Sequence, residues 1–210
     1  MLFDFTTLAP QDCYKLLVST IVPRPIAWVV TQDSQGRVNA APYSFFNVFA
    51  NEPPIVIIGI GERPDGCEKD TASNIRTTGQ FVVNLVAADN AEAMNITAID
   101  FPHDIDELHQ AGLTTLPSTM IKPPRIAESP VALECERFQT LQLTNERSLV
   151  MGRVLAMHIK DEAVINPARC YVDTAKLDLI GRMAGASGYC TTHEALDIPR
   201  IKEADWVLKP

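Results

Sequence analysis

Two short stretches carry the side chains best suited to binding a ligand. In residues 43–47, Y-S-F-F-N, three aromatic rings, a hydroxyl and an amide occupy five consecutive positions just after a strand-like run. That mixture suits a flat ligand that is apolar in its middle and polar at its edge. In residues 68–75, E-K-D-T-A-S-N-I, Asp70 or Thr71 can cap a helix whose free backbone amides attract an anion. Lys69 adds a full charge there, and Thr71 and Asn74 add neutral donors. A phosphate would be well held by such a segment, and a plain capped surface helix would use the same residues.

Familiar catalytic motifs fail in turn. Gly59-Ile60-Gly61 follows a strand-like run, but Pro64 stands where a dinucleotide fingerprint needs its third glycine, and a helix cannot run through E-R-P-D-G. No G-x-x-x-x-G-K-[ST] occurs. Around Ser187 the glycines miss the G-x-S-x-G spacing by one residue. Among His103, His109, His158 and His193, the one close pair is six residues apart, which puts the rings on different helical faces and argues against a metal site. These histidines, and the neighbouring Asp104, Asp106 and Glu107, read as solvated. No catalytic acid or base is assigned.

The elements that must position these stretches are mostly strands. An apolar, β-branched run over residues 26–31, the turn D-S-Q-G at residues 33–36 and a second run over residues 37–42 form a hairpin. Strands are also expected over residues 55–60, 81–86, 131–143, 149–159 and 177–182. Helices are expected over residues 10–17, 70–78 (stopped by Gly79), 90–99 and 104–111, and a Pro-rich loop over residues 117–130. About seven strands with few long helices between them predict a mainly β fold, a β-barrel with short helical insertions, in one domain over residues 1–210.

Composition bounds the function. With 46% hydrophobic residues in 210, the chain can bury a real core. A net charge of -8 argues against nucleic acid or an anionic membrane as partners, and an anionic cofactor must be held by local cations. The five cysteines lie at least twenty residues apart with no C-x-x-C pair, as expected of reduced thiols in a cytoplasmic protein; Cys67, in a polar segment, reads as a surface thiol. No apolar run reaches the length of a membrane span, and the N-terminus lacks the pattern of a signal peptide.

In order along the chain, P-R-P-I-A-W-V-V-T, N-A-A-P-Y-S-F-F-N, K-D-T-A-S-N-I, F-V-V-N-L and G-R-M-A-G-A-S-G-Y resemble the flavin reductase-like family of FMN-binding split-barrel proteins, the group that includes flavoredoxin. The resemblance runs from about Tyr14 to Tyr189. It implies FMN as cofactor, with Ser44, Phe45, Phe46 and Asn47 along the flavin and Lys69, Asp70, Thr71 and Asn74 at its phosphate. Arg24, Thr31, Arg182 and Tyr189 are further candidates. It also implies a homodimer, NADH or NADPH as reductant, and a flavin or other small-molecule acceptor. The same family leaves room for an electron-transfer module serving a protein partner. This chain carries an additional segment, residues 63–67, ahead of Glu68 and Lys69.

Overall fold

The computed structural model describes residues 1–63, 65–145, 147–202 and 206, so Pro64 of the additional segment lies outside the described residues. The helices are α1 (Pro10–Thr20), α2 (Asp70–Thr78), α3 (Ala91–Ile96) and α4 (Glu107–Gln110). The strands are β1 (Arg24–Pro25), β2 (Ala27–Gln32), β3 (Val38–Tyr43), β4 (Phe46–Asn51), β5 (Pro54–Ile60), β6 (Gln80–Leu85), β7 (Thr115–Leu116), β8 (Arg125–Ile126), β9 (Val131–Gln142), β10 (Ser148–Ile159), β11 (Val164–Asn166), β12 (Tyr171–Val172), β13 (Ile180–Arg182) and β14 (Tyr189–Thr191). Among the described residues, no helix is long and apolar enough to cross a membrane.

Seven strands form one antiparallel sheet in the order β3-β2-β6-β9-β10-β5-β4. Its two edge strands, β3 and β4, are consecutive in sequence and joined by Ser44 and Phe45 alone. A linker of two residues spans no more than about 10 Å, so the sheet must curl until its edges nearly meet. They approach without pairing: the Gly59 amide donates to the Phe45 carbonyl at 2.7 Å, but no β3–β4 ladder forms. The result is a split barrel with its seam at residues 44–45.

Both faces of the central strands are covered. Inside the barrel, Ala27, Val29, Ile58, Phe81, Val83, Leu133 and Val150 form one core. On the other face, Trp28, Val30, Val82 and Ala132 pack beneath Met94 of α3, Leu108 of α4, and Ile121 and Ile126. This double burial explains the continuous apolar runs of β2 and β6. Trp28 Nε1 also donates to Thr97 Oγ1 at 2.9 Å, which ties the segment after α3 to the barrel. Inside, Phe81 fits only because position 152 is glycine: a Cβ there would collide with Cζ of the fully buried Phe81 ring. Gly152→Ala is therefore expected to destabilise the fold by about 1–3 kcal/mol, the usual cost of overpacking. Thermal unfolding checks this, and an unchanged Tm would mean that the ring can move aside.

The structure adds β4, where the sequence predicts no strand, together with the short pairs β11–β12 and β7–β8 and the strand β14. Helix is also shorter than expected after β6 and before the 117–130 loop, as α3 and α4 show.

Candidate functional site

A cleft of about 760 Å³ opens at the barrel seam, within the size range of small-molecule sites. Tyr43, Ser44 and Phe45 form its corner, and residues 59–63, at the end of β5 and just beyond it, form a second wall. The start of α2 (Lys69, Asp70, Thr71), the segment 97–101, and Leu143 and Arg147 from the β9–β10 arm complete it.

Beneath the start of α2 lies a hydrogen-bonded network. Glu107, only 7% exposed, accepts from Asn39 Nδ2 at 2.6 Å and from the Ala40 amide at 3.1 Å. Asn39 Oδ1 accepts from Thr71 Oγ1 at 2.9 Å and, more distantly, from Thr31 Oγ1 at 3.4 Å; Asn74 Nδ2 donates to Thr31 Oγ1 at 3.0 Å. Burial raises the Glu107 pKa above the ordinary glutamate value and nearby Asp70 pushes the same way, against the donors that favour the carboxylate. Glu107 was expected on a solvated face. It is instead a floor residue of the cleft, because α4 packs on β3 and turns this one carboxylate inward.

The charged groups of the cleft are held in pairs. Lys69 Nζ meets Asp100 Oδ1 at 2.9 Å, Arg63 meets Asp70 at 3.3 Å, and Arg147 meets Glu62 at 2.9 Å. Asp70 also meets His103 Nδ1 at 2.8 Å, while His103 Nε2 faces Arg37 at 2.7 Å. His103, exposed as the sequence suggested, also bridges Asp70 and Arg37. The N-cap of α2 is Lys69, with no side-chain cap, which corrects the expected Asp70 or Thr71 cap. The amides of Asp70 and Thr71 in the first turn have no intrahelical acceptor.

Of the residues expected at a site, Ser44, Phe45, Lys69, Asp70 and Thr71 line the cleft, and Thr31 and Asn74 support it from below. Arg24 is buried behind Ser44. Its guanidinium donates to the carbonyls of Val18, Ile21 and Met183 at 2.8–3.1 Å, and Nε donates to Ser44 Oγ at 3.4 Å. It therefore fixes the corner and is not a free cation. Phe46 packs against the barrel core, and Asn47 is exposed on β4 with its side chain on the Val48 amide. Arg182 closes the 185–188 loop through three carbonyls and stacks over Tyr189. Tyr189 borders a separate small hollow beside α3.

Sequence reasoning did not single out Asn39, Arg63, Asp100, Glu107 or Arg147, nor Tyr43 for its hydroxyl. Asn39, which opens the N-A-A-P-Y-S-F-F-N stretch, and Tyr43 within it carried a local signal.

Residues 18–175 match the family described as the flavin reductase like domain. The chain belongs to the flavin reductase-like family. A relative of this flavin reductase-like protein in Deinococcus radiodurans is 42% identical over 208 residues, covering 97% of this chain and 91% of the relative, and is itself uncharacterized. Among solved structures, the 2-nitrobenzoate 2-nitroreductase NbaA of Pseudomonas fluorescens superposes with a TM-score of 0.88 at 33% identity, covering 97% and 98% of the two chains. Nitrilotriacetate monooxygenase component B from Bacillus cereus gives 0.86 at 30% identity, covering 94% and 98%. The family and these neighbours make the protein a flavin-related oxidoreductase.

Proposed function

We propose that the cleft holds FMN and that the protein uses NADH or NADPH to reduce a flavin or another small acceptor. The observation that carries this reading is the meeting, in one cleft, of the Ser44–Phe45 corner with Lys69 and the uncapped first turn of α2. An aromatic and polar corner suits an isoalloxazine edge, and a helix N-terminus beside a lysine suits a phosphate. When bound, FMN supplies the hydride chemistry. The protein binds and orients it: Lys69 and the α2 amides hold the phosphate, Glu107 and Asn39 lock Thr71, and Arg24 fixes Ser44. Phe45 shields the ring from water.

A second reading, reduction of a small aromatic compound directly by the bound flavin, is favoured by the likeness to NbaA over nearly the whole of both chains. Absorption spectra with FMN added, followed by nicotinamide titration with and without a nitroaromatic acceptor, separate the two. If nicotinamide is oxidised only when the nitroaromatic is present, the second reading stands; if free flavin suffices, the first does.

The surface beside the cleft supports a homodimer. Val48 and Phe49 on the edge strand β4 are exposed, as are Leu17 on α1 and Ile21 just after it, and the Tyr14 ring lies 6.3 Å from the Phe45 ring. An unpaired apolar edge of this kind is normally covered. Light scattering is expected to give about twice the 23.1 kDa chain mass. A stable monomer with FMN bound would contradict this and make the site a single-chain one.

A further inference from the structure

We propose that the C-terminal tail, residues 194–206, packs across α1 and β4 of a second copy of this chain, so that two protomers hold each other by exchanged tails. The inference rests on the homodimer reading and names the segment that makes the contact.

The tail is tied down only at its start. Thr192 donates to the Leu179 carbonyl from its amide at 3.1 Å and from its hydroxyl at 3.0 Å. Residues 194–202 belong to no helix or strand, and every one of them is exposed. Leu196 is 90% exposed, Ile198 80%, Ile201 63% and Trp206 54%, so these side chains touch little of their own chain. Four large apolar side chains within residues 194–206 are not the composition of a segment that stays in water. Leu196 and Ile198 flank Asp197, and alternate side chains of an extended chain point to one side. Pro199 narrows the backbone freedom that ordering must remove.

A surface that matches the tail lies on the same chain. Leu17 and Ile21, four residues apart, and Val48 and Phe49 of β4 are exposed, and β4 is an edge strand with one side unpaired. The two parts of this surface adjoin, because Arg24 of β1 holds the Val18 and Ile21 carbonyls and also Ser44, just ahead of β4. The tail leaves the body close by. It follows β14, which lies two strands from β1 in the sheet β1-β13-β14, a distance of roughly 10 Å. Extended, the tail spans roughly 40 Å, enough to cross α1 and β4 of a neighbour. Within one chain both the tail and this face stay bare. A two-fold pair covers both tails and both faces at once, because each tail meets the same patch on its partner.

The chain supplies its own probe. Of its two tryptophans, Trp28 is fully buried and Trp206 is in the tail, so a change in emission on dilution reports the tail. The double variant Ile198→Asp, Ile201→Asp alters side chains that are exposed in the single chain and is expected to fold, which far-UV circular dichroism checks. Analytical ultracentrifugation is expected to give a wild-type dimer, with emission that moves to longer wavelength as the dimer is diluted. The double variant is expected to dimerise about tenfold or more weakly, because an aspartate in the contact must be desolvated. Hydrogen exchange of residues 46–51 is expected to be slow in the wild-type dimer and faster in the variant. An unchanged dimer dissociation constant overturns the tail exchange and leaves the homodimer reading standing. Tail emission that is independent of concentration overturns it too, since the tail then packs on its own chain or on nothing. Exchange at residues 46–51 that does not change in the variant overturns the receiving face. A wild type that is monomeric at every concentration overturns both this inference and the homodimer reading.

Discussion

Lys69→Ala is expected to weaken FMN binding by about 1.5–3 kcal/mol, the usual worth of a hydrogen bond to a charged group, a roughly 10- to 150-fold rise in Kd, while leaving riboflavin binding unchanged. The helix does not depend on this side chain, because Lys69 is an N-cap that makes no side-chain cap bond. Its partner decides where in that range the effect falls. Lys69 neutralises Asp100 at 2.9 Å, so its removal deletes an attraction for the phosphate and also leaves a bare carboxylate lining the same cleft. The loss should lie toward the upper end, and adding Asp100→Asn to the variant should recover part of it. Isothermal titration of FMN and riboflavin against the single and double variants tests both statements. Equal losses for the two flavins would place the phosphate elsewhere.

Ser44→Trp should act on rate and not on affinity. Ser44 sits at the barrel seam with its hydroxyl fixed by Arg24. Across the corner, Gly61 faces open space, where an added Cβ would touch nothing within 4 Å. On the proposed reading, room for a second planar group would lie beside Ser44 and Gly61. The small residues of the G-A-S-G run before Tyr189 do not add to that room: they belong to the loop that Arg182 closes and border a different hollow. An indole at position 44 is expected to occupy that space. Reduction of bound FMN by nicotinamide should slow by about 100-fold, the scale of a misplaced reactant, with a much smaller change in FMN affinity. Stopped-flow reduction set against equilibrium titration separates the two. A variant that loses binding and rate in proportion would show that Ser44 holds the flavin and does not leave room above it.

The sequence is most legible where local chemistry decides structure. Helix α2 ends as expected because Gly79 adopts φ 73, a left-handed stop that glycine accepts freely. The turn at residues 33–36 is likewise local: Asp33 Oδ1 accepts from the Gln35 and Arg37 amides and Gly36 takes a positive φ. The long hairpin β9–β10 was visible from its β-rich pattern. Strand β4 was not, since F-N-V-F-A-N is mostly exposed and lies at a sheet edge whose position only the closed topology reveals.

The site splits along the same line. Ser44, Phe45, Lys69 and Thr71 could be chosen because their types and spacing suit the ligand. The use made of a charge is set by tertiary contacts. Arg24 looks like a phosphate cation in sequence, yet the carbonyls at the end of α1 and of Met183 consume it. Glu107 looks like one of several surface carboxylates in H-D-I-D-E-L-H, yet it alone is turned under the cleft. No local pattern distinguishes it from Asp104 or Asp106.

The central claim, that FMN bound in the seam cleft is reduced by a nicotinamide nucleotide, is tested most directly by mixing the FMN-loaded protein anaerobically with NADH and, separately, with NADPH in a stopped-flow spectrophotometer. The account predicts loss of the flavin absorbance with at least one nucleotide at a rate that saturates with its concentration. If neither nucleotide bleaches the flavin while dithionite does, the reductase reading is contradicted and an electron-transfer module reduced by a protein partner takes its place.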